Sequence, residues 1–176
     1  MSLSIQEIAN TDKENIDRIG KLRYEVWKAE GALELSYFPV GSWTDHLDDS
    51  GRHWVVVDLI TGDFVAAARM NFLVQLDEQS RDAMLWKRSG SILPLPTVDF
   101  GRLVVKANYR KQGLAQQLNE IRITAAREME ASSIIVTASE GNASLLRKLG
   151  FFEIGHRIEF DDRPGVSFIA MQKNLV

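Results

Sequence analysis

The run Arg110-Lys111-Gln112-Gly113-Leu114-Ala115 puts two cations, a glycine and a small residue where one element gives way to another. Ahead of it, Thr97 to Lys106 reads as a strand. Behind it, residues 112–130 read as a helix, with Leu114, Leu118, Ile121, Ala125 and Met129 on one face. A strand, a short turn and a helix start together make an anion site. The first turn of a helix leaves its N–H groups unpaired, and the helix dipole places partial positive charge there. A phosphate or pyrophosphate is stabilised by those donors. Gly113 has no Cβ and lets a ligand come close to the backbone, and Ala115 is small for the same purpose. Arg110 and Lys111 add charge beside the donors. On spacing alone a second reading stays open, that of a basic helix start with a flexible glycine.

The elements around this junction follow from periodicity and punctuation. Residues 3–8 suit a first strand. Thr11-Asp12-Lys13-Glu14 has the form of a capping box, and Ile16, Ile19, Leu22, Arg23 and Val26 follow at helical spacing from about Asp12 to Glu30. Residues 31–51, broken by Gly31, Pro39 and Gly41, suit a loop with at most a short helix. His53 to Asp58, the turn Thr61-Gly62-Asp63 and Phe64 to Phe72 form a hairpin. Residues 77–87 suit a short helix. Ser132 to Ala138 reads as a buried strand, and Gly141 to Leu149 as a short helix ended by Gly150. Phe152, Ile154, His156, Ile158 and Phe160 alternate along a strand, Gly165 suits a turn, and Val166 to Gln172 closes the sheet. The expected fold is α+β, a mixed sheet with a β-α-β unit at its centre, in a single domain over residues 1–176.

Composition narrows the classes. A chain of 176 residues with 45% hydrophobic and 26% charged content is ordinary for one globular domain. No tract is apolar for the ~18 residues a membrane span needs. The start Met1-Ser2-Leu3-Ser4 does not read as a signal peptide. With no cysteine there is no disulfide frame, thiolate nucleophile or Cys-type zinc site, which fits a cytoplasmic location. A net charge of −3 argues against a general nucleic-acid binder, whereas a small anionic ligand needs only a local basic patch.

The run from Leu103-Val104-Val105 through Lys106-Ala107-Asn108-Tyr109 to Arg110-Lys111-Gln112-Gly113-Leu114-Ala115 resembles the central motif of the GNAT N-acetyltransferase superfamily, a Leu-x-Val strand end followed by Arg/Gln-x-x-Gly-x-Gly/Ala. Leu145-Leu146-Arg147-Lys148-Leu149-Gly150-Phe151 resembles the family's later motif, and Asn142 precedes it as an asparagine often does. The matching part covers roughly residues 97–155. This resemblance implies a central, mostly antiparallel sheet flanked by helices, with a V-shaped splay between its two central strands. It implies acetyl-CoA, or another acyl-CoA, as co-substrate and no metal. Backbone groups of Leu103, Val104 and Val105 would pair with the pantetheine arm. Backbone N–H groups of Lys111, Gln112, Gly113, Leu114 and Ala115, with help from Arg110, would hold the pyrophosphate. Asn142 would hydrogen-bond the cofactor or cap its helix. The acceptor would be a primary amine on a small molecule or peptide, and a homodimer is the assembly to expect.

Asp99 stands four residues before Leu103, where some members of the family carry a glutamate as general base. It would act through water or else pair with a nearby arginine. The usual tyrosine that protonates the leaving thiolate is replaced by Leu146, and Tyr109 suits surface or packing. That departure leaves a non-catalytic CoA-binding sensor as an alternative. The layout of Leu22 to Trp27, the acidic loop from Asp45 to Asp49 and Val65 to Arg69 is loosely similar to acyl-homoserine-lactone and N-acyl amino acid synthases, which implies a longer acyl donor as a further alternative. Asp45, His46, Asp48, Asp49 and His53 are read here as a solvated loop in preference to a metal site. Arg23 and Arg69 would bind a substrate carboxylate or form ordinary salt bridges, Arg102 would point toward a helix, and His156 would pack.

Overall fold

The computed structural model describes residues 2–76, 85–86, 89–155 and 157–175. The helix expected over 77–87 lies largely outside them, as does His156. Among the described residues, eight strands form one sheet in the order β1-β2-β3-β4-β5-β8-β6, with β7 on β8. The strands are β1 (Leu3–Ile8), β2 (Arg52–Asp58), β3 (Phe64–Leu73), β4 (Thr97–Val105), β5 (Ser133–Ser139), β6 (Phe152–Glu153), β7 (Ile158–Phe160) and β8 (Arg163–Asn174). The helices bounded within the described residues are α1 (Lys13–Ala29), α2 (Leu114–Glu128) and α3 (Glu140–Lys148). The pairs β1–β2, β5–β8 and β6–β8 are antiparallel, and β4–β5 is parallel. A parallel pair needs a crossover, and α2 supplies it. This is the mixed, mostly antiparallel sheet with flanking helices that the motifs implied. Among the described residues no helix is long and apolar enough to cross a membrane.

The chain forms two compact units. The first comprises Met1–Arg69, Arg102–Leu118 and Phe160–Gly165, and the second Met70–Gly101, Asn119–Glu159 and Val166–Val176. In the first, α1 lays Ile16, Ile19, Leu22 and Val26 against Val55 and Val57 of β2, Phe64 and Ala67 of β3 and Val104 of β4. Those helix positions are the apolar stripe read from the sequence. The cap is Asp12 rather than Thr11, because the Asn15 N–H donates to Asp12 Oδ1 at 3.1 Å. The loop over 31–51 holds two short 3-10 turns, Leu35–Tyr37 and His46–Asp49.

In the second unit β5 is buried along most of its length, as its unbroken apolar run requires. Registered pairing of β4 with β5 runs from Thr97↔Ser133 to Phe100↔Val136 and stops, although β4 continues to Val105 and β5 to Ser139. Trp86, Ile135, Ile154 and Ala170 form a core cluster. Two expectations are corrected near the C-terminus. The alternating run 152–160 is two short strands, interrupted where Gly155 takes a φ of +72°. Gly165 is inside β8, which starts at Arg163, so the chain turns at residues 161–162 instead.

Candidate active site

The junction after β4 has the form that its residues suggested. Leu103 and Val105 are half-buried while Val104 joins the core of the first unit. A 3-10 turn (Ala107–Tyr109) leads to Lys111 at φ +61° and Gly113 at φ +79°, and α2 begins at Leu114. The Gln117 N–H donates to the Gly113 carbonyl at 3.0 Å, so the N–H groups of Leu114 and Ala115 lie ahead of that helical bond. Arg110, Lys111, Gln112 and Gly113 are exposed. A Cβ on Gly113 would meet only Gln117 Nε2 at 3.7 Å, so the glycine is required by its positive φ and not by crowding within the protein.

Arg110 is already engaged. Its Nε donates to the Val105 carbonyl at 3.0 Å and its Nη2 pairs with Glu30 Oε1. Arg110 thus already donates to a backbone group of Val105, one of the residues that the resemblance set beside the pantetheine arm. The Glu30 pair is exposed and weakly held. Tyr109 donates its hydroxyl to Asp58 Oδ2 at 2.7 Å. That bond raises the Tyr109 pKa and lowers that of Asp58, and makes Tyr109 a strut of the turn, in line with the packing role expected for it.

In the second unit Asp99 is buried on β4, opposite Ile135. Arg122 of α2 is buried there too, and burial pulls its pKa down to about 9 against the opposing effect of the Asp99 charge. Arg122 is the arginine whose charge Asp99 feels. Arg122 donates from Nη2 to Asn119 Oδ1 at 2.5 Å and from Nη1 to the Gly101 carbonyl at 3.3 Å, and its guanidinium lies 4.2 Å over the Phe100 ring. Asn119 Nδ2 in turn donates to Asn142 Oδ1 at 3.3 Å. Asn142 is therefore not the cap of α3; that position belongs to Ser139. Leu146 is fully buried core. Sequence reasoning missed Arg122 and Asn119. The available signal was a polar residue inside a four-residue stripe, Leu114-Leu118-Arg122-Ala126, whose other members are apolar.

The densest charge lies in the first unit. Arg23 of α1, fully buried, donates from Nη1 to Asp48 Oδ1 and Oδ2 at 2.9 and 3.1 Å. Arg69 Nη1, on β3, reaches Asp48 Oδ1 at 2.9 Å and Asp45 Oδ1 at 2.6 Å. Arg102, on β4, reaches Asp45 Oδ2 at 2.5 Å and stacks over Trp43 at 4.2 Å. Burial would raise both aspartate pKa values, but Arg102 and Arg69 hold Asp45, and Arg23 and Arg69 hold Asp48, below the usual carboxylate range. Burial draws Arg23 down to about 10, aided by the like charges of Arg69 and Arg102. His53 is also buried, which lowers its pKa and keeps it neutral, with Nε2 donating to the Asp48 carbonyl at 3.0 Å.

Close backbone approach builds this cluster. A Cβ on Gly20 would fall 2.4 Å from Ser42 Oγ, and one on Gly51 2.9 Å from Arg69 Cγ. The loop before Asp45 therefore lies directly on α1, with the Trp43 N–H donating to the Gly20 carbonyl at 3.0 Å. The solvated-loop reading holds for His46 and Asp49, which are exposed, and is corrected for Asp48 and His53, which arginines and burial draw inward. Arg102 faces Asp45 and Trp43 rather than a helix. Among the described residues no group of three or more His, Asp or Glu is placed to hold a metal.

Comparison with known proteins places this geometry. A family model described as an acetyltransferase (GNAT) domain matches residues 22–120, more than half of the chain, and a second of the same description matches residues 89–175. No curated protein sequence matches significantly. Among solved structures, an acyl-CoA N-acyltransferase from Pseudomonas aeruginosa is 23% identical, with a TM-score of 0.67 over 98% of this chain and 99% of that one. The CoA-dependent acyl-homoserine lactone synthase BjaI is 14% identical, with a TM-score of 0.76 over 99% and 84%. FeeM, an N-acyl amino acid synthase from uncultured soil microbes, is 12% identical, with a TM-score of 0.69 over 99% and 90%. At such identities the structural likeness is one of fold. The family match spans both the buried charge cluster and the glycine turn, and the chain belongs to the GNAT acetyltransferase family.

Proposed function

We propose that the chain transfers an acyl group, acetyl in the simplest case, from coenzyme A to a primary amine. The observation that carries this reading is the β4–α2 junction, where a left-handed turn at Lys111 and Gly113 leads to the N–H groups of Leu114 and Ala115. Those groups, with the backbone of Lys111, Gln112 and Gly113, take the pyrophosphate. Arg110 assists by leaving Glu30. Leu103, Val104 and Val105 run beside the pantetheine arm, and Asn142 donates to it.

The amine nitrogen attacks the thioester carbonyl carbon. A C–N bond forms, the C–S bond breaks, and coenzyme A leaves as a thiolate. The proton shed by the amine passes through water to Asp99, which lies near the Arg122 charge. Leu146 has no proton to give, so the thiolate takes one from water. A thiol-release assay with acetyl-CoA and an amine panel tests the reaction, and titration calorimetry with CoA tests the site. Gly113→Leu should abolish binding. Unchanged affinity in that variant would remove the site assignment, and tight binding without turnover of any amine would make the protein a sensor.

The charge cluster favours a second reading of the substrates. Three guanidinium groups face two carboxylates, and Asp45 and Arg102 are its partly exposed edge. A cation and an anion side by side next to Trp43 suit an acceptor that carries both an amine and a carboxylate. Amino acids should then outperform their decarboxylated amines in the same assay, and equal rates would return the acceptor to simple amines.

A further inference from the structure

We infer that Arg122 is a positioning residue that fixes which way the Asn142 amide faces. An arginine has five N–H donors and no acceptor. The atom of Asn119 that lies 2.5 Å from Arg122 Nη2 must therefore be its carbonyl oxygen. That leaves the Asn119 NH₂ group facing Asn142 at 3.3 Å, so the atom it meets must be the Asn142 carbonyl oxygen. Each amide is assigned by the one before it. What remains to Asn142, in the first turn of α3, is its NH₂ group, which donates to no protein group among the described residues. Asn119 is fully buried, and a flip there would set buried donors face to face. The chain starts from a held cation. Arg122 is fixed by the Gly101 carbonyl, the Phe100 ring and the charge of Asp99.

An arginine in this place costs the protein a buried charge, where Leu or Met would fill the stripe of α2 without one. Its use is the polarity it imposes. The half-buried Asn142 offers only donors, so it suits a ligand that accepts, such as the carbonyl oxygen of an acyl-pantetheine arm. The identity of that ligand rests on the acyl-CoA reading, but the polarity of Asn142 does not.

Asn119→Asp tests the idea by inversion. Both oxygens of the new carboxylate accept, so Arg122 keeps its partner while Asn142 must turn its NH₂ inward and present oxygen outward. Acetyl-CoA should bind about tenfold more weakly. Thermal melting should stay near that of the parent chain. The side-chain ¹⁵N amide resonance of Asn142 should shift and exchange with solvent more slowly. If Asn119→Asp unfolds the chain, Arg122→Lys and Arg122→Met decide instead. Lysine also only donates and should keep the affinity within about threefold, while methionine should lose it about tenfold. Equal acetyl-CoA affinity across these variants in a parent chain that binds it would overturn the inference. A parent chain that does not bind acetyl-CoA would instead count against the acyl-CoA reading, and the amide resonance of Asn142 would still decide its polarity: an unmoved resonance overturns the inference, a shifted one supports it.

Discussion

Replacing Asp48 by Asn should destabilise the chain far more than neutralising Asp49 beside it. Asp48 is 2% exposed and takes two bonds from Arg23, one from Arg69 and one from the Asp45 N–H. The substitution keeps volume and can keep the backbone bond. It removes one of the two anions that offset three buried or half-buried guanidinium groups. Breaking a buried ion pair by removing one partner costs about 3–5 kcal/mol. At roughly 2–4 °C per kcal/mol for a chain of this size, melting should fall by on the order of 10 °C. Asp49 is the internal control. Its partner Lys13 is 2.6 Å away, but the side chains are 71% and 66% exposed, and pairs of that kind contribute little. Melting followed by circular dichroism, repeated from pH 7 down to 3, reads both effects. Asp45 and Asp48 have lowered folded pKa values, so their stabilisation is present above the unfolded value of about 3.9 and is lost as pH falls below it. Asp48→Asn should flatten that acid limb. Equal melting of Asp48→Asn and Asp49→Asn would refute the placement of Asp48 at the centre of a buried charge network.

Three further outcomes follow from single side chains. Asp99→Asn should lower kcat/KM about a hundredfold while calorimetry shows unchanged CoA affinity, as expected of a proton acceptor; an equal loss of affinity would mark Asp99 as structural. Leu146→Tyr should cost about 1–3 kcal/mol in urea unfolding, because the position is fully buried, and should bring no gain in turnover. His53 has a lowered folded pKa, so stability should fall as pH drops below its unfolded value of about 6.5. His53→Gln can keep a donor toward the Asp48 carbonyl and should flatten the stability curve below about pH 6.5, as read by chemical denaturation.

What could be read in advance was local. The strand, turn and helix around Gly113 announce themselves through periodicity and one glycine, and their bounds in the structure differ by one or two residues. The apolar stripe of α1 was equally plain, and Arg23 already stood in it, between Leu22 and Val26, where a charge needs a partner. The partner was not legible. Asp48 is 25 residues from Arg23 and 21 from Arg69, and Asp45 is 57 from Arg102. An acidic run of that composition has the same appearance whether water or arginine neutralises it, and only the folded loop on Gly20 decides between them. The relay from Arg122 was hidden for the related reason that two of its three members are ordinary surface types.

Arg102 shows why such a cluster sits at this place in the sheet. Its φ is +57°, a left-handed conformation that costs a residue with a Cβ about 1 kcal/mol. Glycine would adopt it freely, and Gly101 is the neighbour, yet the strained position is the arginine. It lies two residues beyond Phe100, where the registered pairing of β4 with β5 ends. A strand that leaves its partner needs a local break in pleat, and a positive φ supplies one. The ion pair with Asp45 and the stacking on Trp43 offset the strain and require the side chain to be there. Asp45 is held in turn by Arg69, and Arg69 by Asp48. The charge cluster and the left-handed residue in β4 are therefore coupled through Arg102. Arg102→Gly would release the strain but free Asp45, so it should weaken the cluster while leaving the backbone able to bend, whereas Arg102→Ala would lose the contacts and keep the strain. Arg102→Ala should accordingly be the less stable of the two by about 1 kcal/mol, the reverse of the usual order of alanine and glycine. Urea unfolding of the pair would show it, and a more stable alanine variant would refute the coupling.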